Sequence, residues 1–165
     1  MWPFSKKAVE TQQPVGPDSW TLAQGERDGF PMIVRMADAY RGLAPLPGFD
    51  HHIIISVHLR NPRPDGFPSF DEGDDLAALE ENLVRVLETG NDSLCVLVIT
   101  NNKLRDFIFY TRDVESLKQR NKEAKTIYRG FKVEFWIEPD GDWRIYRHFA
   151  NWIKPVNGPK KRSSA

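Results

Sequence analysis

The chain has 165 residues, with 23 Lys plus Arg against 23 Asp plus Glu, so its formal net charge is zero. Apolar residues make up 40% and charged ones 28%, the composition of one globular domain and not of a disordered chain. Neutrality excludes nucleic-acid binding by bulk charge, the lone Cys95 excludes an internal disulfide, and the longest apolar runs, about six residues, fall far short of the roughly 20 that span a bilayer.

Residues 8–18 are polar and carry Pro14 and Pro17, which predicts a flexible leader over 1–18. Trp2 and Phe4 precede Lys6 and Lys7, the reverse of a signal peptide. Two strand-like runs, Trp20 to Gln24 and Met32 to Met36, flank the cluster Gly25 to Gly29 and predict a hairpin. Pro45 and Pro47 stiffen the loop that follows. From His51 to Arg60 the odd positions Ile53, Ile55, Val57 and Leu59 are apolar. The even positions His52, Ile54, Ser56, His58 and Arg60 are mostly polar, so one face of a strand packs on a core. Ser69 with Glu72 reads as a capping box, and Leu76, Leu79, Leu83, Val86 and Leu87 recur at helical spacing until Gly90. Leu94 to Thr100 is apolar on both faces and predicts a central strand. Asn101-Asn102 turns the chain into a returning strand, Leu104 to Thr111. Asp113 caps a second helix with Val114, Leu117, Asn121 and Ala124 on its inner stripe, and Phe131 to Glu138 is the last strand. Trp143, Tyr146, Arg147 and Trp152 predict a short C-terminal helix packed by its aromatics. The basic tail 154–165 is expected to be disordered, leaving 19–153 as a single domain.

The order from 51 to 138, β-α-β-β-α-β, predicts an α+β, ferredoxin-like antiparallel sheet with both helices on one face. The hairpin and the aromatic helix are additions to it. The face without helices carries His52, Ile54, Ser56 and His58, and Lys132, Glu134, Trp136 and Glu138 from the last strand. An apolar and aromatic presence there needs a cover, and the N-terminal hairpin is the expected one, ahead of a second copy or a partner. Charge segregates as well. Residues 71–90 hold seven acids against Arg85, while 103–132 hold nine bases against four acids, so neutrality conceals an acidic helix and a basic one. These two are expected to attract each other side by side.

His52 and His58 share a face but lie roughly 20 Å apart at ~3.3 Å per residue, too far to chelate one metal. No His/Cys spacing suits a metal, so neither metal nor cofactor is expected. There is no phosphate-binding glycine loop, nucleophile elbow or His-Glu-x-x-His, and no catalytic residue is assigned. The first reading is a non-catalytic cytoplasmic module that binds a protein partner or a second copy of itself. Its contacts are the open face and the acidic helix, through His52, Ile54, His58, Glu80, Glu81, Glu134 and Trp136. The alternative is a ligand binder or small enzyme with a pocket between hairpin and sheet, using His52, His58 or Glu134. The third is an RNA binder. Its key strand fits at Lys103, Phe107, Ile108 and Tyr110, but departs at Leu104, Arg105 and Asp106 and offers Ile54 where a stacking aromatic belongs.

Trp20 with the segment Gly25 to Pro31 and Arg35, the run Phe107-Ile108-Phe109-Tyr110 followed by Asp113, and the closing Glu138-Pro139-Asp140-Gly141-Asp142-Trp143 with Tyr146 form a set. Over about 19–150 this set resembles the bacterial family catalogued as domain of unknown function 695. The resemblance implies a fold related to the regulator of ribonuclease E activity B, a ferredoxin-like protein that inhibits a ribonuclease by binding it. It therefore implies an adaptor or inhibitor role, and it brings no catalytic residues.

Overall fold

Asp28 and Gly29 have φ of 54° and 80°. This left-handed pair forms the two-residue turn that joins β2 (Trp20–Arg27) to β3 (Phe30–Ala37). Asn102 and Lys103, at 46° and 69°, do the same between β5 (Ser93–Asn101) and β6 (Leu104–Thr111), one residue later than the predicted Asn101-Asn102 turn. With β1 (Val9–Thr11), β4 (His51–His58) and β7 (Val133–Pro139) these strands make one antiparallel sheet in the order β1-β2-β3-β5-β6-β4-β7. It has six long strands and the three-residue β1. The computed structural model describes residues 9–11 and 19–154. Val9–Thr11, within the expected leader, pair with β2; the rest of the leader and 155–165 of the tail lie outside the described residues.

The hairpin does not fold over the sheet. β3 pairs with β5 from Met32↔Asn101 to Met36↔Leu97, so the hairpin continues the sheet in its own plane. The reason is the backbone of β5. Its residues are almost all buried, and a buried strand edge must find partners for its N–H and C=O groups. β5 is thereby central, as its two apolar faces predicted.

α1 (Phe70–Leu87) and α2 (Val114–Glu123) lie on the same side. Leu76, Leu79, Leu83, Leu87, Leu117 and Ala124 share a core with Ile53, Ile55, Val57, Phe107 and Phe109. Asp113 caps α2 by accepting from Ser116 N at 2.9 Å. Ser69 accepts from Glu72 N, but Glu72 does not close the predicted capping box. Its buried carboxylate accepts instead from Arg60 N at 2.6 Å and Asn61 N at 3.0 Å, which ties the loop after β4 to the helix. The acids of α1 pair with strand and loop arginines, Glu80 with Arg35 and Asp75 with Arg60. Among the described residues no ion pair joins α1 to the basic α2.

The reverse face is covered by α3 (Arg144–Trp152), not by the hairpin. Trp143 stacks on Tyr110 with ring centroids 4.1 Å apart, and its Nε1 donates to Phe49 O at 2.8 Å. The Tyr146 hydroxyl donates to Ala37 O at 2.6 Å. Phe149 is fully buried and Arg147 is exposed, so the helix packs by its aromatics as expected. Trp152 reaches the hairpin at Gly25, where a Cβ would lie 2.7 Å from its ring. Among the described residues no helix is long and apolar enough to cross a membrane.

Candidate functional site

β7 is the outermost strand, and two hydrogen bonds fix how its backbone alternates. Lys132 O accepts from His58 N at 2.9 Å, and Asp140 N donates to Asp50 O at 2.7 Å. The intervening even residues Glu134, Trp136 and Glu138 therefore bond to β4, while Val133, Phe135 and Ile137 turn their N–H and C=O groups outward. Among the described residues no strand pairs with that outer side. Two aromatic side chains flank the edge on opposite faces. Phe135 is 43% and Trp136 45% exposed.

On the α3 side the edge borders a cleft of about 570 Å³, lined by His52, Ile54, Glu138, Asp140, Arg144 and His148 among others. Asp140 organises its base. Its carboxylate accepts from the Tyr110 hydroxyl at 2.7 Å, from Arg144 N at 2.9 Å and from Ile145 N at 3.4 Å, with His52 Nδ1 at 3.3 Å. Burial opposes the charge on Asp140, but these donors outweigh it and hold the carboxyl below its usual range. An ionised Asp140 faces Nδ1, so that nitrogen carries a proton. Nε2 is buried and has no hydrogen-bond partner, its nearest polar neighbour being Glu138 Oε2 at 3.8 Å. Leaving such a group unsatisfied costs about 1–3 kcal/mol. The cleft thus presents the exposed Glu138 carboxylate to whatever enters, with His52 Nε2 buried behind it.

On the opposite side of β7 a groove of about 460 Å³ runs toward the turn after α2. Lys122, Lys125 and Arg129 line it, together with Tyr128, Phe131 and Phe135. The Tyr128 and Phe135 rings meet edge-on at 5.5 Å, and the Tyr128 hydroxyl donates to Asn121 Oδ1 at 2.7 Å. Burial raises the Tyr128 pKa, so the phenol stays a neutral donor in this basic groove.

The structure divides the residues proposed from sequence. His52 and Ile54 lie in the α3-side cleft, and Trp136 stands opposite Ile54 in the strand register. Alternation put His52 on an open face, whereas it is buried under the start of α3. His58 and Glu134 pair with each other at 2.8 Å, exposed at the far end of the two strands, and the His58 hydrogen bond lowers the Glu134 pKa. Glu80 and Glu81 sit on α1, on the other side of the sheet, with Glu80 engaged by Arg35. Because the hairpin is coplanar with the sheet, the proposed pocket between the two does not form. Phe107 and Tyr110, which matched an RNA-recognition strand, point to opposite faces of the sheet and are both fully buried, so β6 offers no exposed aromatic platform. Among the described residues no cluster of His, Cys, Asp or Glu could hold a metal. Sequence reading missed Asp140, Tyr110, Arg144 and Phe135 as site residues. The one available signal was the turn Pro139-Asp140-Gly141-Asp142, whose first acid could cap the helix behind it.

Comparison with known proteins gives one match. The model of a family described as a family of unknown function, DUF695, covers residues 18–150. No curated protein and no solved structure matches the chain.

Proposed function

The chain belongs to the family of unknown function DUF695, and we propose that it is a protein-binding module that takes up an extended segment of its partner along β7. The carrying observation is the outward backbone of Val133, Phe135 and Ile137, flanked by two exposed aromatics and two clefts. In strand addition the backbone ladder supplies affinity, and pockets for alternate side chains supply specificity. Here the alternate side chains of an added strand meet opposite charges. On the α3 side the exposed Glu138 carboxylate suits a donor such as Lys or Arg. On the α2 side Lys122, Lys125 and Arg129 suit Asp or Glu. The preferred partner segment therefore alternates basic and acidic residues.

The strand order β7-β4-β6-β5, with α1 and α2 on one face, supports reading this part as a ferredoxin-like unit enlarged by the hairpin. The lone Cys95, whose pKa burial drives well up, supports residence in a reducing cytoplasm. The narrower version, in which the partner is a ribonuclease, rests on the family resemblance alone. The test is selection from a displayed library of random peptides, followed by amide exchange. The expected result is a set of extended peptides that slow exchange at Val133, Phe135 and Ile137 and lose binding to Val133→Pro. Peptides that bind without protecting those amides, or no selected peptides at all, count against the reading.

A further inference from the structure

A third cleft, away from β7 and independent of the strand-addition reading, carries a different chemistry. It lies beside α1, where the helix leaves the hairpin end of the sheet bare, and measures about 320 Å³. Leu22, Ile33 and Val98 form its floor, and Arg35, Arg63 and Arg105 converge on it. The strand register builds the cluster. Leu22 is opposite Arg35, Arg35 opposite Val98, and Thr100 opposite both Ile33 and Arg105.

The three arginines differ in what satisfies them. Arg35 pairs with Glu80, and Arg63 with Asp65 at 2.8 Å. Arg105 has no carboxylate partner among the described residues. Its Nε donates to Thr100 Oγ1 at 2.9 Å, and the guanidinium is half-buried. Burial lowers the Arg105 pKa and the nearby Arg35 lowers it further, while Glu80 and Glu72 act in the opposite sense. A cation in that position gains from an anion in direct contact, which no described residue supplies. Arg63 is held at the rim by a pinned loop. Arg63 N donates to Phe67 O at 2.7 Å, and Gly66 O accepts from Lys103 N at 2.9 Å. Gly66 has φ of 86°, and a Cβ there would lie 2.9 Å from Asn102 Cα, so glycine lets the loop press on the β5–β6 turn.

We propose that this cleft binds a small organic anion, a phosphate or carboxylate head on an apolar body. Arg105 and Arg63 take the head, and Leu22, Ile33 and Val98 take the body beside Phe67. Phenyl phosphate and benzoate are the probes, with benzyl alcohol as the uncharged analogue, each titrated while the backbone amide resonances of Val98 and Thr100 are followed by NMR, together with Arg105 Nε–H in the native chain. The expected result is a saturable shift with phenyl phosphate, benzoate or both, which also identifies the preferred head, and none with benzyl alcohol. Arg105→Gln abolishes binding. Arg63→Gln, a change at an exposed loop residue that keeps the fold, weakens it by about tenfold, the loss of one charge-assisted contact. Should Arg105→Gln fail to fold, the Arg63 variant decides. No saturable shift with either anion, an equal response to benzyl alcohol, or unchanged affinity in Arg63→Gln overturns the proposal.

Discussion

The two faces of the sheet are closed by different materials. Under α1 and α2 the core is leucine, isoleucine and valine with a few aromatics, the plain result of helical and strand periodicity. Under α3 the core is built on aromatic rings, Trp143, Tyr110, Tyr146 and Phe149, the first two stacked and Trp143 and Tyr146 edge-on, and it tolerates buried acids, Asp106 and Asp140. Aliphatic packing keeps polar groups to the margins of its face, where the buried Glu72 serves the loop after β4 and the arginines lie in a cleft beside α1. The aromatic face holds polar groups because Tyr and Trp bring hydrogen-bonding atoms into the interior with them. That is where Asp140 holds His52 by Nδ1 and leaves its Nε2 buried without a partner.

The sharpest way to break this comparison is Trp143→Ala. The loss of a fully buried Trp costs about 3–5 kcal/mol, against about 2–5 for Leu83→Ala on the other face. The distinguishing outcome is locality. In Trp143→Ala, amide exchange should rise across Tyr146 to Trp152 before the sheet opens, whereas Leu83→Ala should leave α3 protected. Equal loosening of α3 in both variants would mean that the faces are not separable.

Next in size is Asp140→Asn, which removes hydrogen bonds to a charged acceptor worth about 1.5–3 kcal/mol. Its pH dependence has a definite sign. The folded-state pKa of Asp140 lies below the unfolded value, so its contribution is present at neutral pH and is lost as the pH falls through the folded pKa. Asp106 behaves oppositely. Burial raises its pKa, against the Ser56 hydrogen bond and the charges of Arg27 and His58. Ionising Asp106 therefore costs stability as the pH rises from its unfolded to its folded pKa. Urea denaturation across pH 3–7 should show Asp140→Asn least stable relative to the native chain at neutral pH and converging with it in acid. Asp106→Asn should be the more stable at neutral pH and converge likewise. Parallel curves for the two variants would contradict the assignment.

The smallest expected effect is Val133→Pro. An edge position whose N–H faces away from β4 tolerates proline, so stability should change by about 0.5 kcal/mol or less while partner binding is lost. A large loss of stability would mean that the register of β7 is inverted.

Local signals were readable and long-range ones were not. Leu76 to Leu87 declared α1 by period, Asp113 declared the α2 cap, and the doubly apolar β5 declared its central place. The position of the hairpin depends on β3 meeting β5 across some 65 residues, and strand pairing over such separations leaves no pattern in either segment. The site suffers in the same way. His52 and Asp140 are 88 residues apart, and alternation could say only that His52 points away from the α1 core. That a third helix lies on that side, and that Asp140 at its start captures both His52 and Tyr110, follows from the aromatic packing of Trp143.

The account rests most heavily on the open outer side of β7, and residue-resolved hydrogen exchange of the isolated chain tests it directly. Alternation is the predicted result, with Val133, Phe135 and Ile137 exchanging fast and Glu134, Trp136 and Glu138 slowly. Uniform protection along the strand would show its outer side already occupied and would contradict the proposed mode of binding.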